Sequence, residues 1–245
     1  MKTKNPPTKR IILSQGGKGG TGKTTVLKLF ADYLTHLQLL FSVVDADSEN
    51  KNGRGSLSSF YAQATKLDLR TSRGLDDVVD SVLDGPNPVV LCDLAAASGK
   101  ETFEWFEIMH GAVAEAGVAI TLVSPITSSM ATTQSLLEWA GVLRDRVQYL
   151  VVLNQQAGED FSYFTKTEEG NKFRLVAKPE VIHLQRLALQ NELDNHGLTA
   201  AQFLKRDDIG DLGPILGKTS ARLRVRGDLA KIFDELDRVR HLLTP

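Results

Sequence analysis

The chain has 245 residues, of which 42% are hydrophobic and 24% are charged. This composition is that of an ordinary globular protein, and it excludes a disordered, collagen-like or coiled-coil chain. The 29 basic and 30 acidic side chains leave a formal net charge of −1, so the overall charge gives no sign of a strongly basic nucleic-acid-binding protein. The single cysteine, Cys92, excludes an intramolecular disulfide and an all-cysteine zinc site within the chain.

No apolar run approaches the roughly 20 residues that are needed to span a bilayer. The first ten residues are polar and basic, and no apolar stretch of signal-peptide type follows them. We therefore expect a cytoplasmic protein. We also expect a polar N-terminal tail at 1–9 and a single domain at 10–245.

Short apolar runs alternate with longer helical patterns over the first 155 residues or so. In chain order they predict a strand at 10–14, a helix at 23–37, a strand at 41–45, a helix at 75–83, a strand at 89–93, a helix at 102–115, a strand at 117–124, a helix at 128–144 and a strand at 149–154. Continuous apolar strands that alternate with helices indicate an α/β fold. We expect a mostly parallel, doubly wound sheet with helices on both faces.

The rest of the chain has a weaker pattern. We expect a long loop at 155–172, a sixth strand at 173–177, and helices at 180–195, 199–205 and 221–243. Three glycines and a proline within 210–217 predict a turn or mobile loop.

Polar residues end the five early strands. Right-handed crossovers place the carboxyl ends of all parallel strands on one edge of the sheet. Ligands bind at that edge in open α/β sheets. The strand-ending residues are Ser14, Asp45, Asp93, Ser124 and Asn154. The sequence therefore predicts a site where these side chains meet.

The strongest local signal is the glycine-rich sequence GGKGGTGKTT at 16–25, between the first strand and the first helix. Its register fits the phosphate-binding loop G-x-x-x-x-G-K-[ST] from Gly17 to Thr24. The glycines let backbone N–H groups turn toward phosphate oxygens, and the helix N-terminus adds a favourable dipole. Lys23 is expected to hold the β- and γ-phosphates, and the Thr24 hydroxyl is expected to bind Mg²⁺. The expected nucleotide contacts are Gly17, Gly19, Gly20, Thr21, Gly22, Lys23, Thr24 and Thr25.

A second lysine, Lys18, stands five residues before Lys23. The string KGGTGKTT at 18–25 resembles the deviant Walker A motif of the ParA/MinD family of ATPases. The resemblance implies a P-loop fold, ATP and Mg²⁺ as cofactors, and a homodimer that holds ATP between its subunits. In such a dimer Lys18 reaches the partner's nucleotide, as an arginine finger supplied in trans does. A lysine that acts only within its own subunit is the alternative.

Acidic and amide side chains at three further strand ends extend the resemblance. Asp45 and Asp47 stand where the family carries Asp-x-Asp, which implies that Asp47 positions or activates the attacking water and that Asp45 supports the magnesium shell. Asp93 has the place of a Walker B carboxylate near Mg²⁺. Asn154 is implied to contact the adenine. The segment 48–50, Ser-Glu-Asn, departs from the family's usual Pro-Gln and leaves the rate of hydrolysis open.

The resemblance implies a bacterial ATPase that acts as a dimerising switch, slow until a partner protein stimulates it. We expect it to work in DNA partition or in plasmid or conjugative DNA transfer. A basic patch could contact DNA phosphates without sequence preference. Its expected members are Lys218, Arg222, Arg224 and Arg226, with Lys205 and Arg206 as a second cluster.

Two alternatives stay open. A MinD-like ATPase that positions proteins on a membrane would need a C-terminal amphipathic helix, and 228–243 carries a broad apolar stripe with a mixed polar face. The same stripe is typical of a terminal helix packed on the sheet. The third reading is a metabolic P-loop enzyme that transfers phosphate to a small acceptor, although the sequence shows no second substrate motif.

Overall fold

A parallel sheet is the centre of the computed structural model, which describes residues 7–15, 17, 19–47, 55–69, 71, 73–96 and 98–245. Within these residues the strands are β1 (Lys9–Ser14), β2 (Phe41–Ala46), β3 (Thr65–Lys66), β4 (Val89–Leu94), β5 (Val118–Ile126), β6 (Gln148–Asn154) and β7 (Glu180–Leu184). They form one seven-stranded sheet in the order β3-β2-β4-β1-β5-β6-β7, and every pairing in it is parallel.

Helices cover both faces of this sheet. They are α1 (Lys23–His36), α2 (Asp76–Leu83), α3 (Gly99–Glu115), α4 (Met130–Leu143), α5 (Ser162–Thr165), α6 (Glu168–Ala177), α7 (Gln190–Asn195), α8 (Ala200–Lys205), α9 (Gly213–Leu216) and α10 (Thr219–Arg238). Among the described residues no helix is long and apolar enough to cross a membrane.

Alternating strand side chains build two cores, because successive residues of a strand point to opposite faces. In β4, Val89 and Leu91 join the core that contains the apolar residues of α1 and α10. Val90 and Cys92 join the core on the other face, with residues of α2, α3 and α4. Both faces are therefore buried, which explains why the strands are apolar throughout. The predicted doubly wound α/β fold is confirmed.

Two predictions for the later part of the chain are wrong. Residues 173–177 are the end of α6 rather than a strand, and 180–184 form β7 where a helix was predicted. In α6 Phe173 is buried, whereas Leu175 and Val176 are about three-quarters exposed. A five-residue run with four apolar residues is too short to distinguish a helix with one buried face from a buried strand.

Three other predicted boundaries also change. The predicted loop at 155–172 contains α5 and the start of α6. The predicted turn at 210–217 contains a 3₁₀ turn and the short helix α9. The terminal helix ends at Arg238, and a 3₁₀ turn at Arg240–Leu242 follows it.

A buried arginine fixes the C-terminal segment to the amino edge of the sheet. Arg10 of β1 donates hydrogen bonds to the carbonyls of Thr244 (2.7 Å) and His241 (2.9 Å). It also donates to Thr121 Oγ1 (2.8 Å) and Gln148 Oε1 (2.6 Å). Burial lowers the pKa of Arg10 to about 10, so the side chain stays charged at neutral pH. These four bonds tie the end of the chain to β1, β5 and β6.

A buried carboxylate on α1 holds the start of α8. Asp32 is 3% exposed and accepts hydrogen bonds from Thr199 Oγ1 (2.5 Å) and from the backbone N–H of Ala201 (3.0 Å). Burial raises the pKa of Asp32 to about 6, although these bonds and the nearby charge of Lys28 act in the opposite direction. The folded protein therefore binds a proton at Asp32 more tightly than the unfolded chain does.

We expect this proton to shape the pH dependence of stability. An acid with a raised folded pKa lowers stability as pH rises from its unfolded pKa to its folded pKa. The free energy of unfolding of the wild type, relative to Asp32→Asn, should fall by up to ~3 kcal/mol between pH 4 and about pH 6, and then level off. Urea unfolding across this range measures the difference. Parallel pH curves for the two proteins would contradict the assignment.

Candidate functional site

The glycine-rich loop joins the end of β1 to the start of α1 at the carboxyl edge of the sheet. Gly20 and Gly22 have φ values of +74° and +92°, a left-handed backbone that L side chains rarely adopt. A Cβ at Gly22 would also lie 2.3 Å from Nδ2 of Asn154. Gly22 is the N-cap of α1, and the first turn of that helix carries no acidic residue. The open N-terminus is therefore suited to an anion.

Asp93 lies at the centre of a hydrogen-bond network at this edge. Its Oδ2 accepts from Thr24 Oγ1 (2.6 Å), and its Oδ1 accepts from Ser14 Oγ (2.7 Å). Ser14 Oγ in turn accepts from the backbone N–H of Leu94 (2.8 Å). The ends of β1 and β4 and the start of α1 are thus joined through one carboxylate that is 1% exposed.

Burial dominates the electrostatics of Asp93. It raises the pKa of the carboxyl to about 6, while the hydrogen bonds from Thr24 and Ser14 and the charge of Lys23 lower it. The charge of Asp45 raises it further. A carboxylate in this position gains from a bound cation, because the cation offsets both the desolvation and the repulsion from Asp45.

Asp45 lies beside Asp93 in the sheet, because the two residues are partners in the β2–β4 register. The Asp45 carboxylate accepts from the backbone N–H of Ser58 (3.0 Å) and more weakly from that of Asp47 (3.3 Å). Asp47 follows directly after β2 and is half-buried. Strand pairing therefore brings Asp45 and Asp93 together, and Asp47 follows β2 at the same edge of the sheet.

The donor set fits Mg²⁺. Within the described residues no cluster of three His, Cys, Asp or Glu side chains could hold a metal ion by itself. Mg²⁺ usually keeps several waters and is bound through one or two protein groups together with phosphate oxygens. The Thr24 hydroxyl and the buried Asp93 carboxylate supply such groups, and Asp45 stands next to them. The predicted magnesium residues are thus placed together.

Asn154 supports the glycine-rich loop from the end of β6. It is 2% exposed, and its Nδ2 donates to the carbonyl of Thr21 (3.0 Å). Its Oδ1 accepts from the backbone N–H of Gln156 (3.1 Å) and so caps the 3₁₀ turn that follows β6. Both ends of the amide are engaged with the protein. The predicted contact with adenine stays a prediction.

A cavity of about 750 Å³ opens beside the end of the loop. Its lining residues are Thr25, Gln156, Arg186, Leu187, Ala188, Leu189, Gln190, Asn191, Glu192, Asp194, Arg224 and Asp228. Nε2 of Gln156 is buried and has no hydrogen-bond partner among the described residues. The volume lies in the range of small-molecule sites, and the lining is mainly polar and charged, which suits a polar ligand. Sequence reasoning missed Gln156, since no motif marks it.

The residues of the predicted basic patch do not share one surface. Arg224 lines the cavity. Arg222 is about 200° away around α10 and donates a hydrogen bond to the carbonyl of Arg206. Lys218 and Arg226 are exposed on the side of Arg222. Lys18 and the segment 48–50 lie outside the described residues, so their roles stay predictions.

Solved structures with a similar fold include two that contain MinD and one of FtsY. The septum site-determining protein MinD of Pyrococcus horikoshii, complexed with Mg-ADP, superposes with a TM-score of 0.56 at 16% identity, over 96% of this chain and 99% of that chain. The MinC:MinD cell division complex of Aquifex aeolicus gives 0.53 at 13% identity, over 92% and 96%. The cell division protein FtsY of Thermotoga maritima gives 0.50 at 18% identity, over 73% of this chain and 62% of that one.

The chain has the fold of MinD. Because the overlap covers nearly the whole of both chains, the fold predicted from the resemblance is confirmed as an α/β P-loop fold. No protein-family model matches the sequence, and no curated protein sequence is significantly similar to it. At identities this low the likeness establishes the fold and leaves the activity to be argued from the site.

The close approach of Gly22 to Asn154 gives a test of the loop geometry. In the absence of nucleotide, Gly19→Ala should change the free energy of unfolding by less than ~0.5 kcal/mol, because a Cβ there meets nothing within 4 Å. Gly20→Ala should lower it by ~1 kcal/mol through its left-handed backbone. Gly22→Ala should lower it by roughly 3 kcal/mol, since steric overlap with Asn154 is added to the same strain.

Urea unfolding of the three variants separates these terms. A Gly22→Ala variant as stable as Gly20→Ala would show that Asn154 gives way without cost. The rigid contact between the end of β6 and the loop would then be ruled out.

Proposed function

We propose that this protein is an ATP-dependent dimerising switch that hydrolyses ATP with Mg²⁺. The observation that carries the proposal is the hydrogen bond from Thr24 to the buried Asp93, at the start of a helix that follows a phosphate-binding loop. The MinD of P. horikoshii, which has the same fold, was solved with Mg-ADP. We further propose that 10–245 acts as one domain, since both cores share one sheet. The cytoplasm is the location that we propose from the resemblance to ParA/MinD ATPases.

The roles follow from the placement of each group. Lys23 and the backbone N–H groups of the loop bind the phosphates, and Thr24, Asp93 and Asp45 hold the metal and its waters. Bound Mg²⁺ would neutralise the charge that develops on the β- and γ-phosphates. Asp47 accepts the proton of the attacking water or orients that water. Lys18 acts on the nucleotide of the partner in the homodimer.

The cavity of about 750 Å³ takes the nucleoside, because it is lined by Thr25 of α1, the residue directly after the phosphate-binding motif. The unpaired Nε2 of Gln156 offers a donor to a base nitrogen, and the Arg224 guanidinium offers a charged planar group to base or ribose. We propose adenine as the base and Asn154 as a residue that sets the position of this wall.

Two substitutions test nucleotide binding and hydrolysis separately. Lys23→Ala should weaken Mg-ATP binding about 100-fold, because charge-assisted phosphate contacts are lost. Asp47→Ala should still bind Mg-ATP within about threefold, but its hydrolysis should fall about 100-fold and the ATP-bound dimer should accumulate. Calorimetry, phosphate release and light scattering measure the three quantities.

Lys172→Ala is the matched control, since Lys172 is exposed on α6 outside the site, and it should behave as the wild type. A Lys23→Ala protein that binds Mg-ATP with wild-type affinity would refute the phosphate-loop assignment. Unchanged hydrolysis by Asp47→Ala would show that a group other than Asp47 positions the attacking water.

We propose DNA as the switch's downstream ligand, in partition or in plasmid or conjugative transfer, with an unidentified protein that stimulates hydrolysis. Lys218 and Arg226 are exposed on one side of α10, and a dimer would double their charge. The membrane alternative has less support. The apolar stripe of the terminal helix, including Leu229, Ile232 and Leu236, is buried in the core and is not available to a bilayer.

Duplex binding in a salt series tests the DNA proposal. In the Asp47→Ala background, DNA should bind with ATP and not with ADP. Adding Lys218→Ala and Arg226→Ala should lower the slope of log K against log salt by about 4, because each of the two subunits of the dimer loses two phosphate contacts. Arg238→Ala at the far end of α10 is the control and should leave the slope unchanged. Absence of DNA binding in every nucleotide state would refute the DNA proposal and favour a protein as the downstream ligand.

A further inference from the structure

A buried lysine on α1 lies between the two halves of the proposed nucleotide site. Lys28 stands one turn beyond the phosphate-binding loop, and its side chain is 5% exposed. Its Nζ forms an ion pair with Asp194 of α7 and lies 3.9 Å from the centroid of the Phe60 ring. A buried lysine needs such a partner, and even a paired one loses the free energy of hydration of its charge, so packing alone does not explain a lysine at this position.

One side of Lys28 leads to the metal residues. Phe60 follows the 3₁₀ turn at Leu57–Ser59, and in that turn the backbone N–H of Ser58 donates to Asp45 Oδ2 (3.0 Å). The carbonyl of Phe60 also accepts from Gln202 Nε2 (3.0 Å) in α8. The cation–π contact of Lys28 thus holds Phe60, which belongs to the short segment whose backbone orients the Asp45 carboxylate.

The other side of Lys28 leads to the nucleoside cavity. Asp194 lines the cavity, and its side chain is 33% exposed. Its Oδ1 also accepts a hydrogen bond from Gln190 Nε2 (2.7 Å), and Gln190 is a lining residue too. The Lys28–Asp194 pair therefore reaches the wall of the cavity in which a nucleoside would bind.

We propose that Lys28 is a positioning residue that couples occupancy of the nucleoside cavity to the orientation of Asp45. The inference rests on the proposed nucleotide site. A nucleoside in the cavity displaces water from Asp194, and an ion pair strengthens when its surroundings lose water. The strengthened pair holds Lys28 over Phe60 and fixes the 57–60 segment. A ligand with phosphates but no nucleoside cannot produce this effect.

Hydrogen exchange in the 55–64 segment tests the coupling without any need for hydrolysis. Saturating Mg-ADP and saturating Mg-pyrophosphate are compared, since pyrophosphate lacks the nucleoside. In the wild type, amide exchange in this segment should be about fivefold slower with Mg-ADP than with Mg-pyrophosphate. In Lys28→Met, which keeps the length and the packing but loses the charge, the two ligands should protect the segment equally. Lys28→Arg keeps the charge and should restore the difference.

Two further variants complete the design. Asp194→Asn removes the same ion pair from its other end and should also abolish the difference, so the test does not depend on the folding of Lys28→Met. Lys172→Met, at an exposed lysine of α6, should keep the difference. The proposal is overturned if the two ligands protect the wild type equally, or if Lys28→Met and Asp194→Asn both retain the difference. A wild type that does not bind Mg-ADP would instead refute the proposed function.

Discussion

The parallel register of β1, β2 and β4 is the constraint on which the site depends. It places Asp45 opposite Asp93 and brings Ser14 within hydrogen-bond distance of the Asp93 carboxylate. Thr24 then reaches the same carboxylate from the start of α1. A carboxylate buried among apolar strands is unfavourable by itself, so the arrangement is consistent with a site that is completed by a cation.

A second constraint joins the far half of the sheet to the same loop. The left-handed backbone of Gly22 leaves room for Nδ2 of Asn154, which donates to the carbonyl of Thr21. The end of β6 therefore fixes the loop from one side while Asp93 fixes it from the other. Because Thr21 and Gly22 are held in this way before a ligand binds, less of the binding free energy of a phosphate is lost in ordering this part of the loop. The loop geometry is thus a property of the whole sheet.

The sequence predicts the strands, helices and site residues of about the first 155 residues, where the motifs and the hydrophobic periodicity agree. Asp45 and Asp93 each follow a short apolar run and Thr24 opens an amphipathic helix, which predicts all three at one edge of the sheet. The structure places them together. The end of α6 was mistaken for a strand because its run of five apolar and mixed residues is shorter than two helical turns. The position of Arg224 beside the cavity depends on how α10 lies against the sheet, which local spacing does not determine.

Two charged side chains of α1, Lys28 and Asp32, are buried, and a gain in folding stability does not readily explain their presence. Asp32 has a raised pKa because burial disfavours its charged form, and burial also lowers the pKa of Lys28. Apolar residues of similar volume at such positions are often neutral or stabilising. The charges instead specify which elements meet α1, since Asp32 holds the start of α8 and Lys28 holds Asp194 and Phe60. Through Lys28, the helix that begins at the predicted phosphate-binding loop is tied by charge to the segments on both sides of the proposed nucleotide site. These ties are the ones that a change in bound ligand can strengthen or weaken, whereas apolar packing would respond little to a neighbouring phosphate or base.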